Sequence, residues 1–147
     1  NIIQRQEGFV SVEHDFDILS RMNCACPHII AKAGQFVVGY ALCMHPKFAE
    51  EIELLRPMFS EIASVTPPIS SFIVMGQICI DKDYRRKGIF RELYNTMKKI
   101  LHPEFNNIIT SVDTINTRTL NAHYAVGFKD LKTFRADNRN WKLIILE

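Results

Sequence analysis

The sequence predicts an α/β fold in which helices pack on a central mixed β-sheet. Three observations carry that expectation. Apolar runs of strand length alternate with stretches of helical spacing, in the order helix, hairpin, helix, strand, helix, strand, helix, strand, strand. The run at 71–80 is apolar on both faces, as a strand at the centre of a sheet must be. No repeat, low-complexity tract or linker breaks the 147 residues, so one domain over 1–147 is expected.

Each element has its own signal. Val12, Phe16, Leu19 and Met22 share a helical face, predicting a helix over 12–22 with Ser11 as its cap. HIIAK and QFVVGYALCM read as two strands about a turn at Ala33-Gly34. Phe48, Ile52, Leu55, Phe59 and Ile62 then recur at helical steps, and Pro57 predicts a kink or two short helices there. Pro67-Pro68 ends that segment. A helix over 88–101 is expected to bury Ile89, Leu93, Met97 and Ile100. A strand over 107–113 and a helix over 116–126 follow. The segments 128–134 and 141–147 close the chain as a hairpin across Asp137-Asn138.

Composition narrows the function. A net charge of +2 makes no case for general nucleic-acid binding. No apolar run approaches the roughly 20 residues that span a bilayer, so no membrane is expected. Four cysteines without a disulfide-framework spacing, and no visible secretory signal, predict reduced thiols and a cytoplasmic location. The chain starts at Asn1 and not Met, so a preceding N-terminal piece is expected.

The most informative stretch is QICIDKDYRRKGIFREL, from Gln77 to Leu93. Strand, basic loop and helix N-terminus together form an anion cradle of backbone N–H donors. Arg85, Arg86 and Lys87 add positive charge, and Gly88 removes a Cβ that would hold a ligand off the backbone. The loop lacks G-x-x-x-x-G-K-[ST] and G-x-G-x-x-G, so it is neither a Walker loop nor a dinucleotide fingerprint. About thirty residues on comes NTRTLNAHYAVGF, from Asn116 to Phe128.

Together the two stretches resemble the GNAT superfamily of acyl-CoA-dependent N-acyltransferases. That family's loop has the form Q/R-x-x-G-x-G/A, which this chain matches at Arg85 and Gly88. Its later pattern, an Asn, a Tyr or His seven residues on and a Gly-Phe pair, falls on Asn116, His123 and Gly127-Phe128. The hairpin IIAKAGQFVVGYAL looks like the family's second and third strands, and the resemblance runs from about Val10 to the C-terminus. Three departures stand out. Phe90 occupies a Gly or Ala position, which bears on cofactor affinity and acyl-chain preference. His123 occupies the usual Tyr position with Tyr124 beside it. The family's first strand and much of its first helix are expected to be missing.

The resemblance implies a GNAT-like fold and transfer of an acetyl group from acetyl-CoA to a primary amine, by direct attack in a ternary complex. It places the coenzyme A pyrophosphate on the N–H groups of Arg86, Lys87, Gly88, Ile89, Phe90 and Arg91, with Arg85 contributing charge. It pairs the backbone of Ile78, Cys79 and Ile80 with the pantetheine amides, and brings Asn116 to the cofactor from the opposite side. One backbone N–H of the strand would polarise the thioester carbonyl. The acid for the leaving thiol is His123 by position or Tyr124 by chemical type. The base is Asp113, or a water relayed through Gln77 or Ser111; Asp113 also suits a cap on the following helix with Thr114.

Other signals point to structure. Cys24-x-Cys26-x-His28 lacks a zinc-site spacing and a second cluster, so no metal is expected. Direct transfer needs no acyl-cysteine at Cys79. His45 reads as a loop histidine, and Phe48, Met58 and Phe59 as core, as a homodimer contact or as lining of the acceptor pocket. The long segment 44–70 favours a small-molecule amine, because it would roof the site; peptide and protein amines stay open. The alternative is a non-catalytic acyl-CoA-binding module. A nucleic-acid-binding domain using the basic helix ranks third.

Overall fold

A computed structural model describes residues 14–147. The expected cap at Ser11 and the helix start at Val12 lie outside those residues, as does the expectation that the family's first strand is missing.

Helix α1 is Phe16–Ala25. Asp15 caps it, its carboxylate accepting the Ile18 N–H at 2.9 Å, so the helix begins later than the apolar spacing suggested. Phe16, expected on the inner face, is 85% exposed, while Met22 is buried. Strands β1 (Ile29–Ala33) and β2 (Phe36–Met44) form an antiparallel hairpin. Its turn takes Gly34 at φ +61, where glycine has no Cβ to clash. The segment after β2 forms two single 3₁₀ turns, Pro46–Phe48 and Glu53–Leu55, and helix α2, Arg56–Ala63. Pro57 does not break that helix. It lies in the first turn, where its missing N–H costs nothing.

Strand β3 is Phe72–Ile80, helix α3 Ile89–Leu101, strand β4 Asn107–Asp113 and helix α4 Thr117–Val126. Strands β5 (Lys129–Ala136) and β6 (Arg139–Leu146) turn at Asp137 and Asn138, both at positive φ as a tight hairpin turn requires. Among the described residues the strands run β1-β2-β3-β4-β6-β5, with β3 parallel to β4 and the other pairs antiparallel.

The sheet divides the core in two. Ile73, Met75, Ile108 and Val112 pack with Leu93, Tyr94, Met97 and Leu120 from α3 and α4. Val74 and Ile109 point the other way, to Met22, Met58, Phe59 and Ile62 from α1 and α2. That alternation is why β3 reads as apolar on both faces. On α3 the buried stripe is Leu93, Tyr94, Met97 and Leu101. Ile100, expected inside, is 50% exposed; Leu101 stands eight residues from Leu93 on the same face and takes its place. Among the described residues no helix is long and apolar enough to cross a membrane.

Candidate functional site

The site begins where two neighbouring strands part. Strands β3 and β4 pair only from Phe72↔Asn107 to Val74↔Ile109. Past that point β3 stays on β2 as far as Ile80, and β4 stays on β6 as far as Asp113. Their inner edges therefore diverge. Gly76 supplies a local reason. It is the extra residue of a bulge, since Leu42 pairs with Gln77 and Cys43 with Met75. A bulge bends and twists its strand. A Cβ there would lie 2.5 Å from the Met44 methyl group, so a larger residue would have to displace the end of that side chain. At the apex the Thr110 hydroxyl donates to the Met75 carbonyl at 2.8 Å. Beyond it, residues 76–80 of this central strand are only half-buried.

A cleft of about 290 Å³ opens there. Ile78, Cys79 and Ile80 form one wall, the loop residues Tyr84, Arg85, Arg86 and Gly88 the mouth, Ile89 and Phe90 the start of α3, and Arg118, Thr119 and Ala122 the wall from α4. Asp81 shapes the loop by accepting the Asp83 N–H at 2.9 Å. Arg86 and Gly88 both sit at positive φ, +62 and +81. Gly88 is the N-cap of α3 and provides no side-chain cap; the first intrahelical bond runs from Glu92 N–H to Gly88 O. The N–H groups of Ile89, Phe90 and Arg91 precede it and are left for an external acceptor.

The charge around the cleft is one-sided. Among the described residues the ion pairs of Arg21, Arg56, Lys132 and Lys142 lie elsewhere, and none involves Arg85, Arg86 or Arg118. Lys87 lies over the Tyr84 ring, 5.3 Å from its centroid. Arg91 donates to the Ala125 carbonyl at 2.8 Å and so ties α3 to α4.

The structure sends the two acid candidates to different places, neither of them a cleft wall. His123 is 1% exposed. Its Nδ1 and the Thr119 carbonyl are 2.8 Å apart, which makes Nδ1 the protonated nitrogen, and Nε2 accepts the Tyr94 hydroxyl at 2.7 Å. The rings of Phe90, Tyr94 and Phe128 meet it edge-on. Burial pulls its pKa down to about 4, so it is neutral at neutral pH. Tyr124 points to the β5–β6 hairpin and donates to Asp130 at 2.6 Å, and Lys142 bonds the same carboxylate. Burial, then the Asp130 carboxylate, raises the Tyr124 pKa.

Asn116 and Asp113 build the turn between β4 and α4. Asn116 is the helix cap, its side-chain oxygen accepting the Thr119 N–H at 3.2 Å. Asp113 Oδ1 accepts the Ile115 N–H, and its carbonyl accepts that of Asn116. On β3, Gln77 accepts the Tyr40 hydroxyl at 2.9 Å. Cys79 lines the cleft as a free, half-buried thiol. Cys26 and Cys43 are buried, and the contact between their thiols, with burial, pushes the Cys43 pKa up. His28 accepts the Cys43 N–H and donates to the Leu19 carbonyl, so it serves the core. Among the described residues no three His, Cys, Asp or Glu side chains gather as a metal site.

Sequence reasoning missed Tyr84, Arg118, Thr119 and Ala122 on the cleft, and Tyr94 behind it. The signal for α4 was present: positions 118, 119 and 122 share one helical face, and the motif reading stopped at its end points.

Comparison with known proteins agrees with this architecture. The acetyltransferase (GNAT) family model matches residues 2–128. Among solved structures, Arabidopsis thaliana Naa50 in complex with the bisubstrate analogue CoA-Ac-MVNAL superposes with a TM-score of 0.67 at 14% identity, over 95% of this chain and 85% of that one. A chain of the NatC complex bound to Gag peptide and CoA gives 0.65 at 15%, over 93% and 82%. The smu.2055 protein of Streptococcus mutans gives 0.66 at 14%, over 97% and 84%. These identities show a shared fold. No curated protein sequence matches. The family model covers most of the chain, and the chain belongs to the GNAT acetyltransferase family.

Proposed function

We propose that this chain is a single acyltransferase domain that moves an acetyl group from acetyl-CoA to a primary amine. The observation that carries the reading is the parting of β3 and β4 beyond Thr110 and Met75, with the uncapped start of α3 at its mouth. Coenzyme A fits that donor set. Its pyrophosphate matches the first-turn N–H groups of α3 and the positive end of the helix dipole. Arg85 and Arg86, which have no ion-pair partner among the described residues, match its charge. The edge of residues 78–80 that β4 leaves uncovered offers backbone donors and acceptors to the pantetheine amides.

Bound there, acetyl-CoA supplies the activated acyl group as a thioester. The protein's part is to hold it, to aim a backbone N–H of β3 at the carbonyl oxygen where negative charge grows, and to admit the amine from the α1–α2 side. An alkyl amine with a pKa of about 10 arrives protonated. We assign its deprotonation to a water at the Tyr40–Gln77 pair, while Asp113 keeps its turn. With both His123 nitrogens engaged, neither is placed to protonate the leaving sulfur, so coenzyme A would leave as the thiolate, a tolerable leaving group because thiols are weak acids. His123 is thus a positioning residue, acting through Phe90.

The acceptor panel contains small-molecule amines and peptide N-termini. The segment 46–63 packs Phe48, Met58, Phe59 and Ile62 into the core beside the sheet, which keeps the small-molecule preference open. Two structural neighbours hold a peptide or a peptide-bearing analogue, which is the reason to include peptides.

Titration calorimetry with acetyl-CoA, with ATP and desulfo-CoA as controls, tests the binding half. Thiol release over the amine panel tests the catalytic half. Saturable acetyl-CoA binding with turnover on at least one amine is expected. Binding without turnover supports the second reading, an acyl-CoA-binding module, which the absence of His123 and Tyr124 from the cleft wall favours. No binding overturns both.

A further inference from the structure

We infer that Arg118 is the residue that reads the 3′-phosphate of the cofactor's ribose, and so separates coenzyme A from its dephosphorylated form. The inference rests on the proposed acetyl-CoA site.

The cleft has a chemical direction. Strands β3 and β4 part at the Thr110–Met75 bond and widen towards Ile80 and Asp113. The loops that follow them start α3 and α4, so both helices begin at the mouth and run back towards the apex. Arg85, Arg86 and Arg118 line the end where the helices begin, and Ile78 and Ala122, nearer the apex along β3 and α4, line the rest. An acyl-CoA has the same polarity, with its phosphates at one end and its acyl group at the other.

The cations outnumber what a pyrophosphate needs. The first turn of α3 and the two loop arginines already converge on one anionic group from one wall. Arg118 stands on the opposite wall, carried by a different helix. It lies in the first turn of α4, where the helix dipole disfavours a cation. That turn holds no acidic residue, and no carboxylate among the described residues pairs with Arg118. In the empty protein that placement gains nothing from the helix dipole, and an anion between the walls would supply the missing partner. Guanidinium forks suit a phosphate monoester, which presents two or three oxygens to one planar donor. In coenzyme A the one anion separate from the pyrophosphate is the 3′-phosphate.

The test is calorimetry of acetyl-CoA and acetyl-3′-dephospho-CoA against the wild type, Arg118→Gln and Arg118→Lys. The wild type is expected to prefer acetyl-CoA by about tenfold, the size of one charge-assisted contact. Arg118→Gln should bind both ligands alike, at the wild type's dephospho affinity, and Arg118→Lys should recover part of the preference. A merely structural role would weaken both ligands equally and leave their ratio intact, which would overturn the assignment. So would a wild type that does not discriminate while binding both. If neither ligand binds, the assignment falls together with the acetyl-CoA reading beneath it.

Discussion

The ring of Phe90 meets the ring of His123 edge-on, with centroids 4.9 Å apart and planes at 88°. These are the two positions at which the motifs depart from the family pattern, and they touch. The Phe90 ring packs on the imidazole that stands where the family's pattern usually has a tyrosine. Phe90 also meets Tyr94, 5.3 Å away, so the ring is held against the core by two partners.

The two substitutions should therefore be coupled. In a double-mutant cycle of Phe90→Ala and His123→Ala, unfolding free energies should show an interaction of about 1 kcal/mol beyond additivity. Strict additivity would mean that the rings are neighbours without mutual stabilisation.

Acid should destabilise the fold through His123. Its pKa falls from 6.5 to about 4 on folding, because burial disfavours the charged ring. Between those values the unfolded chain takes up the proton and the folded chain does not, so stability declines as pH falls. The contribution is complete above the unfolded value, and about 3 kcal/mol of it is gone near pH 4. Urea unfolding of the wild type and His123→Phe at a series of pH values checks this. The advantage of the wild type should shrink on acidification; a constant gap would contradict it.

Thr110→Val should lower stability by about 1 to 2 kcal/mol, since it leaves the buried Met75 carbonyl without its donor. Thr110→Ser keeps the hydroxyl and should retain the bond. Because the bond closes the apex of the cleft, acetyl-CoA affinity should fall with Val and recover with Ser. An unchanged melting temperature in Thr110→Val would show that the apex is held by other contacts.

At Gly88 the requirement is conformational. A Cβ there would meet nothing within 4 Å, but the backbone sits at φ +81. Gly88→Ala should cost about 1 to 2 kcal/mol, and Gly88→Asn less, because asparagine tolerates left-handed backbone. Thermal unfolding should rank Gly above Asn above Ala. Equal melting temperatures for Gly and Ala would remove this account of the glycine.

Local chemistry explains which parts of this fold were legible in the sequence. Strand β4 and the Asp137-Asn138 turn stand where polar and apolar residues placed them, since turn residues act within a few positions of themselves. The strand–loop–helix around Gly88 was legible for the same reason. The start of α1 was not, because Ser11 and Asp15 are both of a cap-forming type and stand four positions apart in the sequence. The fate of His123 was hidden too. Its hydrogen-bond partner Tyr94 lies 29 residues earlier on another helix, and no local pattern reports that meeting. The cation on the far wall, Arg118, required knowing that α4 faces α3 across the gap.

The three residue pairs that join β3 to β4 also have a mechanical consequence. On one side of that seam lie β1, β2 and β3; on the other lie β4, β6 and β5. Each half is braced by antiparallel neighbours, while the seam is short and parallel. Deformation of the sheet should therefore concentrate there, and amides on the inner edge of residues 76–80 should exchange their hydrogens faster than those bonded to β2. Anything seated between the halves would act as a splint, slowing that exchange and stiffening the seam in proportion to its occupancy.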